Sequence, residues 1–356
     1  MVNILLVSPQ TRDSKGGIAV WTDTFLAYCR KNDIKSDLLN IATIGSRAKQ
    51  GNSRRNFANE FVRTKRIFAN LRKMLRSKDY DVAHINTSCG AFGIIRDYLT
   101  AKKIKKRQPD CKIVIHFHCD IQTQASVGYK AYFLKIMLRV ADKNLVLNQN
   151  NQNYLQKKYA VQGTTIANFI DEAWVRSAPK NIADRIQKAV FVGYIQPEKG
   201  AREIYDLAET FPEITFELIG EVRSDVKEWP KPSNVVLAGR KNRPEIMETL
   251  DTADIFVFPS HSEGFSIALL ESMARGLPCV ATAVGANLDM LENCGGVIVP
   301  VGDVPAMIAA IHQLQEPQVR QMASDWNVKK VREKYTTNAV LASLAAMYID
   351  MNGKAK

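Results

Sequence analysis

What this 356-residue chain lacks narrows its class before any motif is weighed. Its six cysteines (Cys29, Cys89, Cys111, Cys119, Cys279 and Cys294) include no C-x-x-C pair and sit mostly in apolar, strand-like contexts. That pattern argues against a disulfide scaffold and a zinc site, and predicts reduced thiols in a cytosolic protein. No apolar run approaches the roughly 20 residues that span a bilayer. The short run Ile4–Val7 has no cleavage site after it, so neither a membrane helix nor a signal peptide is expected. Acidic residues are scarce in one place: residues 45–78 hold Glu60 alone against 11 Lys+Arg.

That scarcity belongs to a wider asymmetry. Residues 1–168 carry 29 Lys+Arg and 11 Asp+Glu, a net charge of +18, whereas residues 169–356 carry 20 and 25, a net charge of −5. A basic half of this kind suits an anionic partner: a membrane surface, nucleic acid or an acidic substrate. Nucleic acid is disfavoured, because no helix-turn-helix or aromatic-interleaved basic motif is present. Within 45–78, Phe57, Phe61, Phe68, Leu71 and Leu75 recur at helical spacing, with Ile67 and Met74 widening the stripe. Such a helix either packs on the protein with a solvated basic face or meets anionic lipid through Arg54, Arg55, Arg63, Lys65, Arg66, Arg72 and Lys73.

The length predicts two domains of about 170 residues each. Short buried runs at Val2–Val7, Val82–Asn86, Lys112–Phe117 and Lys143–Asn148 alternate with helical stretches, which is an α/β pattern, and the pattern restarts at Ala189–Val192. Pro179 and scattered charges over 171–183 mark the linker.

The most informative stretch is 255–282. Ile255–Phe258 has the brevity of a buried strand and is stopped by Pro259; a helix is predicted from about Ser266 to Arg275, with Gly276 and Pro278 ending it; Cys279–Thr282 is the next strand. Ligands of open parallel sheets lie beyond the carboxyl ends of the strands, at helix N-termini. Glu263 before this helix and Glu271 within it therefore suit an anionic ligand with hydroxyl pairs, such as a phosphate-bearing sugar. The same spacing also fits a capped surface helix with two solvated glutamates.

Other candidates are weaker on their own residues. Gly16-Gly17 opens a helix after the first strand, as phosphate-binding turns and ordinary tight turns both do. His116 and His118 share a face at the end of a strand, with His118 nearer the carboxyl end, as a site or as a structural histidine. Gly193-Tyr194 and Lys199-Gly200 follow Ala189–Val192, and a lone lysine in such a loop is ordinarily solvated. Asp79-Tyr80-Asp81 mimics a D-x-D metal motif but precedes a strand.

Glu263-Gly264-Phe265, Leu270-Glu271, Met273-Ala274, Gly276 and Pro278 together resemble the E-x7-E signature of the retaining glycosyltransferases of family four. Gly193 with Lys199-Gly200 resembles that family's G-R-L-x-x-x-K-G, with Tyr194 where the family has arginine, and Gly295–Asp303 resembles its closing G-x-L-V-P-x-G-D. Asn168–Asp171 resembles the segment that ends the first domain, and Cys119 stands where a glycine follows the family's histidine. The resemblance is dense over 189–303 and thin over 1–170.

It implies an α/β protein of GT-B fold, two Rossmann-like domains facing across a cleft. The expected limits are an acceptor-side domain at 1–170, a nucleotide-sugar domain at 171–335 and a C-terminal helix at 336–356 that packs back on the first. Glu271 would bind the ribose; Glu263 and His118 would order the donor sugar. The backbone around Gly264, Phe265, Ser266 and Ile267, with Gly17 and Gly193, would meet sugar and pyrophosphate. Lys199 would neutralise the diphosphate, with Tyr194 in the place of the usual arginine and Arg240 near the base. No metal and no cofactor is implied, the UDP- or GDP-sugar being a substrate. The acceptor would be a glycan or lipid-linked intermediate, handled at the inner face of the cell membrane. The alternatives are a nucleotide-sugar 2-epimerase, against which the E-G-F and K-G blocks argue, and a non-catalytic partner subunit, which Tyr194 makes conceivable.

Overall fold

The computed structural model describes residues 2–14, 16–42, 57–292 and 294–353. The chain divides into two compact units, Met1–Ala167 with Val340–Lys356, and Asn168–Ala339.

The first unit runs β1 (Asn3–Ser8), α1 (Gly17–Lys31), β2 (Lys35–Asn40), α2 (Phe57–Ser77), β3 (Val82–Thr87), α3 (Gly93–Arg107), β4 (Lys112–Phe117), α4 (Ile121–Ala125), α5 (Gly128–Val140), β5 (Lys143–Val146), α6 (Gln149–Tyr159) and β6 (Gly163–Thr165). Its strands form a six-stranded parallel sheet in the order β2-β1-β3-β4-β5-β6. The runs NILLVS, VAHINT and KIVIHF are buried nearly throughout, as a sheet covered on both faces demands. One sheet face, through Leu5, Val7, Ile85, Ile115 and Val146, packs with residues of α2 to α6 such as Ile67, Ile94, Leu134 and Leu155.

Helix α2 corrects the expected apolar stripe. Ile67, Leu71 and Leu75 are buried and Phe68 and Met74 partly so, but Phe61 is 62% exposed. At about 100° per residue Phe61 falls within about 20° of Phe68 and 40° of Leu75, at the edge of the buried stripe, one turn or more before its first buried member, Ile67. Arg63 and Arg66 are also not outward-facing cations: Arg63 donates to the carbonyl of Ile41 at 2.8 Å and pairs with Glu60 at 3.0 Å, and Arg66 donates to the carbonyl of Ala42 at 2.7 Å. They satisfy backbone acceptors where the chain leaves β2. Arg54, Arg55 and the side chain of Phe57 lie outside the described residues.

The second unit runs β7 (Lys188–Val192), α7 (Ala201–Thr210), β8 (Thr215–Ile219), β9 (Val235–Gly239), α8 (Arg243–Thr252), β10 (Ile255–Phe258), α9 (Ile267–Ala274), β11 (Cys279–Thr282), α10 (Asn287–Leu291), β12 (Gly296–Val299), α11 (Val304–Gln313) and α12 (Pro317–Lys334). Its parallel sheet has the order β12-β11-β10-β7-β8-β9, that of a doubly wound dinucleotide-binding fold. A bridge between Ile170 and Thr336 ties the start of this unit to its end. The last helix, α13 (Thr337–Met351), follows, and from Val340 onward it belongs to the first unit.

Candidate functional site

In the second sheet the strand order reverses between β7 and β10, so the loops that follow these two strands diverge from a common point. A crevice at such a reversal is where open α/β sheets bind ligands. Lys199 closes a short 3-10 turn after β7, and Glu263 lies in the loop after β10. Gly200 lets the two loops touch: its φ is +78°, and a Cβ there would lie 2.4 Å from the carbonyl oxygen of Pro259. The amide of His261 donates to the carbonyl of Glu198 at 3.0 Å, a second stitch between the loops. Lys199 Nζ thereby reaches Glu263 Oε1 at 2.5 Å, with the two side chains 25% and 13% exposed. Ser260 Oγ donates to the same oxygen at 2.9 Å. His261 Nε2 meets Glu203 Oε1 at 2.6 Å behind them.

Helix α9 begins immediately beyond. Ser266 is its N-cap, its Oγ accepting from the amide of Leu269 at 3.1 Å, so Ile267 opens the helix and Gly264-Phe265 form the entry. Phe265 is anchored by an edge contact to Tyr335, with ring centroids 5.9 Å apart. The first-turn amides point out of the helix with its partial positive charge. Glu271 sits one turn further in. Burial pushes its carboxyl up to about 7, against the lowering influence of Arg243. The two glutamates thus differ: Glu263 is held by a lysine and a hydroxyl, whereas Glu271 is desolvated.

The rim is formed at the ends of β7, β8 and β9. Gly220 is required here, because a Cβ on it would fall 1.8 Å from the carbonyl oxygen of Gly193. Tyr194 follows Gly193 with 45% of its surface exposed, and the guanidinium of Arg223 lies over its ring at 4.4 Å. Arg223 pairs with Glu221 at 3.3 Å, and Arg240 pairs with the other oxygen of Glu221. The sequence shows tyrosine in place of arginine at 194; the fold brings Arg223 to that ring from the next loop. Reading the sequence did not single out Arg223, although a cation two residues past Glu221 in a strand-end loop was its available signal.

His118 and Gly17 belong to the first unit. There the order reverses between β1 and β3, and Gly16-Gly17 starts α1 after β1. His118 lies one residue past β4, its Nε2 3.0 Å from Asn86 Oδ1 at the end of β3. Its ring is 4.0 Å from that of His116 and 5.4 Å from that of Trp21. His116 is fully buried and held well below its ordinary pKa, first by burial and then by its neighbours His118 and His84. The backbone of Ile166 faces that ring without closing a hydrogen bond. The D-x-D lookalike is structural: Asp81 accepts from the amide of Asn3 at 2.8 Å and Asp79 accepts from Gln108 Nε2 at 3.1 Å. Among the described residues no group of three His, Cys, Asp or Glu side chains is placed to hold a metal ion.

With this geometry in place, comparison with known proteins is specific. Residues 174–333 match the family model "Glycosyl transferases group 1". The Escherichia coli UDP-Gal:alpha-D-GlcNAc-diphosphoundecaprenol alpha-1,3-galactosyltransferase is 22% identical over 322 residues, covering 82% of this chain and 80% of its own. The Staphylococcus aureus capsular polysaccharide biosynthesis glycosyltransferase CapM is 22% identical over 325 residues, covering 79% and 81%. In structure the chain is similar to sucrose-phosphate synthase from Thermosynechococcus elongatus, with a TM-score of 0.79 over 100% of both chains at 16% identity. The Lys199–Glu263 pair, the capped helix α9 and Glu271 all lie within the segment that matches this family model, and the chain shares the two-sheet α/β fold of the sucrose-phosphate synthase structure.

Proposed function

We propose that this protein is a retaining glycosyltransferase of family four that transfers a hexose from a UDP- or GDP-sugar to a lipid-linked or cell-surface glycan intermediate, without a metal or a cofactor. The observation that carries the proposal is the Lys199–Glu263 ion pair at the point where the second sheet reverses its strand order. A cation and a carboxylate held together there present one group for a diphosphate and one for sugar hydroxyls. On donor binding the diphosphate takes Lys199 and the α9 amides, the sugar takes Glu263, and Glu271 takes the ribose diol. The acceptor hydroxyl then bonds to the anomeric carbon on the face from which the diphosphate leaves. The carbon–oxygen bond to the phosphate breaks, and the acceptor's proton passes to the departing phosphate oxygen. Lys199 acts most strongly in the transition state, where charge on that oxygen grows. His118 orders the transferred sugar, and Tyr194 with Arg223 and Arg240 borders the nucleotide.

The acceptor class is supported by the two relatives, whose names place them on an undecaprenol-linked sugar and in capsule synthesis. Membrane association at the inner face is supported by α2, where Lys65, Arg72, Lys73 and Arg76 are exposed beside the exposed apolar pair Phe61 and Val62. No helix among the described residues is long and apolar enough to cross a membrane.

The test is a thermal-shift panel of UDP-, GDP- and ADP-sugars, followed by donor turnover with and without a chelator. A stabilising sugar nucleotide whose turnover survives chelation is expected. Binding without turnover of donor would leave a non-catalytic subunit, and epimerised donor would leave the epimerase.

A further inference from the structure

Beneath His118 the first unit carries a continuous run of buried polar contacts. Tyr348 of α13 places its hydroxyl 2.6 Å from His84 Nδ1, and His84 Nε2 is 2.9 Å from Asn86 Oδ1. The same oxygen lies 3.0 Å from His118 Nε2. Asn86 Nδ2 is 3.0 Å from Ser8 Oγ, which is 2.6 Å from Thr22 Oγ1, and Thr22 donates to the carbonyl of Ile18 at 2.8 Å. Ser8, Thr22, His84, Asn86 and Tyr348 are all buried.

Hydrogen bookkeeping fixes the direction of every link. Thr22 spends its proton on Ile18, so Ser8 donates to Thr22 and accepts from Asn86 Nδ2. That sets the amide: Oδ1 faces the two histidines and can only accept, so both Nε2 atoms must carry a hydrogen. Burial holds His84 down to about 4, hence neutral at pH 7, so its Nδ1 is an acceptor and Tyr348 is the donor. The reversed amide would require His84 to donate to Tyr348, leaving the tyrosine's own proton unmatched in a buried site, at a cost.

We infer that Asn86 is a positioning residue that holds His118 in its Nε2–H tautomer, and that Ser8 on one side and His84, itself held by Tyr348, on the other fix Asn86. The ring is clamped laterally by His116 and Trp21, so tautomer and orientation are set together. In that tautomer Nδ1 carries a lone pair and no N–H, so the ring accepts there and does not donate. This assignment extends the reading of His118 as a sugar-ordering group and rests on it for its kinetic consequence, but not for its structural one.

The experiment is 15N NMR of the full chain labelled at histidine, with transfer kinetics on the same samples. In the wild type, His84 and His118 should both show Nε2–H. Asn86→Leu, similar in volume, should release the His118 tautomer and lower kcat by roughly tenfold to a hundredfold with donor KM near its original value. Asn86→Asp keeps an acceptor toward both rings and should retain the Nε2–H signal. Tyr348→Phe removes only the donor to His84 Nδ1, so His84 should keep its Nε2–H signal toward Asn86 Oδ1 while its Nδ1 shift changes. An Nδ1–H signal for His118 in the wild type, or an unchanged tautomer in a folded Asn86→Leu protein, overturns the inference. If the tautomers behave as expected but His118→Ala transfers sugar normally, the positioning stands and the role of His118 in transfer fails.

Discussion

The two units place opposite kinds of chemistry at equivalent points of similar sheets. Both have six parallel strands and one reversal of strand order. At the reversal of the first unit, Ser8 of β1 and Asn86 of β3 join a neutral, buried network whose members have fixed donors and acceptors. At that of the second, Lys199 after β7 and Glu263 after β10 form a partly exposed ion pair. Burial freezes the first arrangement, since an unmatched polar group in the interior is costly to create. Partial exposure leaves the second exchangeable, because water and ligand can replace either partner. A rigid acceptor and an exchangeable ion pair are different tools, and the folding pattern alone does not say which unit holds which.

The largest expected effect tests the exchangeable pair. Lys199→Ala should lower kcat/KM by about 10²–10³-fold, the usual consequence of removing a preorganised donor from developing charge. Steady-state transfer assays measure it, and near-normal turnover would make the pair structural.

Gly200→Ala asks whether the loops must touch. With φ at +78° and Pro259 in the way, the added methyl should displace Lys199 from Glu263 and destabilise the second unit by about 1–3 kcal/mol. Chemical denaturation and donor affinity should fall together; an unaffected affinity would mean the contact between loops is incidental.

Glu271 should show a conflict between stability and binding. Burial raises its folded pKa to about 7, above that of the unfolded chain, so the protonated acid favours the fold. That stabilisation is full below the ordinary carboxyl range and is lost as pH rises through about 7. Glu271→Gln should therefore be more stable than the wild type at pH 8, by on the order of 2 kcal/mol, yet bind nucleoside diphosphate more weakly by about 1.5–3 kcal/mol. Wild-type affinity should rise from pH 6 to 8 and the variant's should not. A parallel rise in both would assign the pH dependence to another group.

Residue by residue, the smallest effects lie on the surfaces. Arg223→Ser should weaken diphosphate binding only about two- to fivefold, as the loss of an exposed cation over an aromatic ring does. In co-sedimentation with anionic vesicles, replacing Lys65, Arg72, Lys73 and Arg76 by serine should reduce binding, each cation contributing about 1 kcal/mol. Salt should weaken what remains. Salt-insensitive binding would transfer the membrane role to Phe61 and Val62. Arg63 and Arg66 make poor test sites, since both hold backbone carbonyls near β2.

Much of the second unit was legible in the sequence because its signals are local. Pro259 stops a strand, Ser266 caps a helix four residues before Leu270, and Glu263 and Glu271 fall on either side of that cap. The strand–loop–helix–strand reading of 255–282 matches β10, α9 and β11. Helical periodicity likewise found α2, yet it put Phe61 on the buried face. Spacing found the inward side, Ile67, Leu71 and Leu75 with Phe68 and Met74, but it cannot tell how far along the helix that side stays covered, and Phe61 lies beyond that point.

The sequence by itself determined the alternation of strands and helices, the restart of that pattern at β7, the position of the capped glutamate loop and the charge excess of the first half. Each follows from residues near one another in the chain, through periodicity, capping and composition. Only the tertiary structure decided that Lys199 pairs with Glu263, that Arg223 covers Tyr194, and that Tyr348 reaches His84 across 264 positions. Those contacts join segments far apart in sequence: parallel strands bring the loops of the second unit to one edge, and helix α13 returns to the first unit, so hydrogen bonds and burial, not spacing, select the partners.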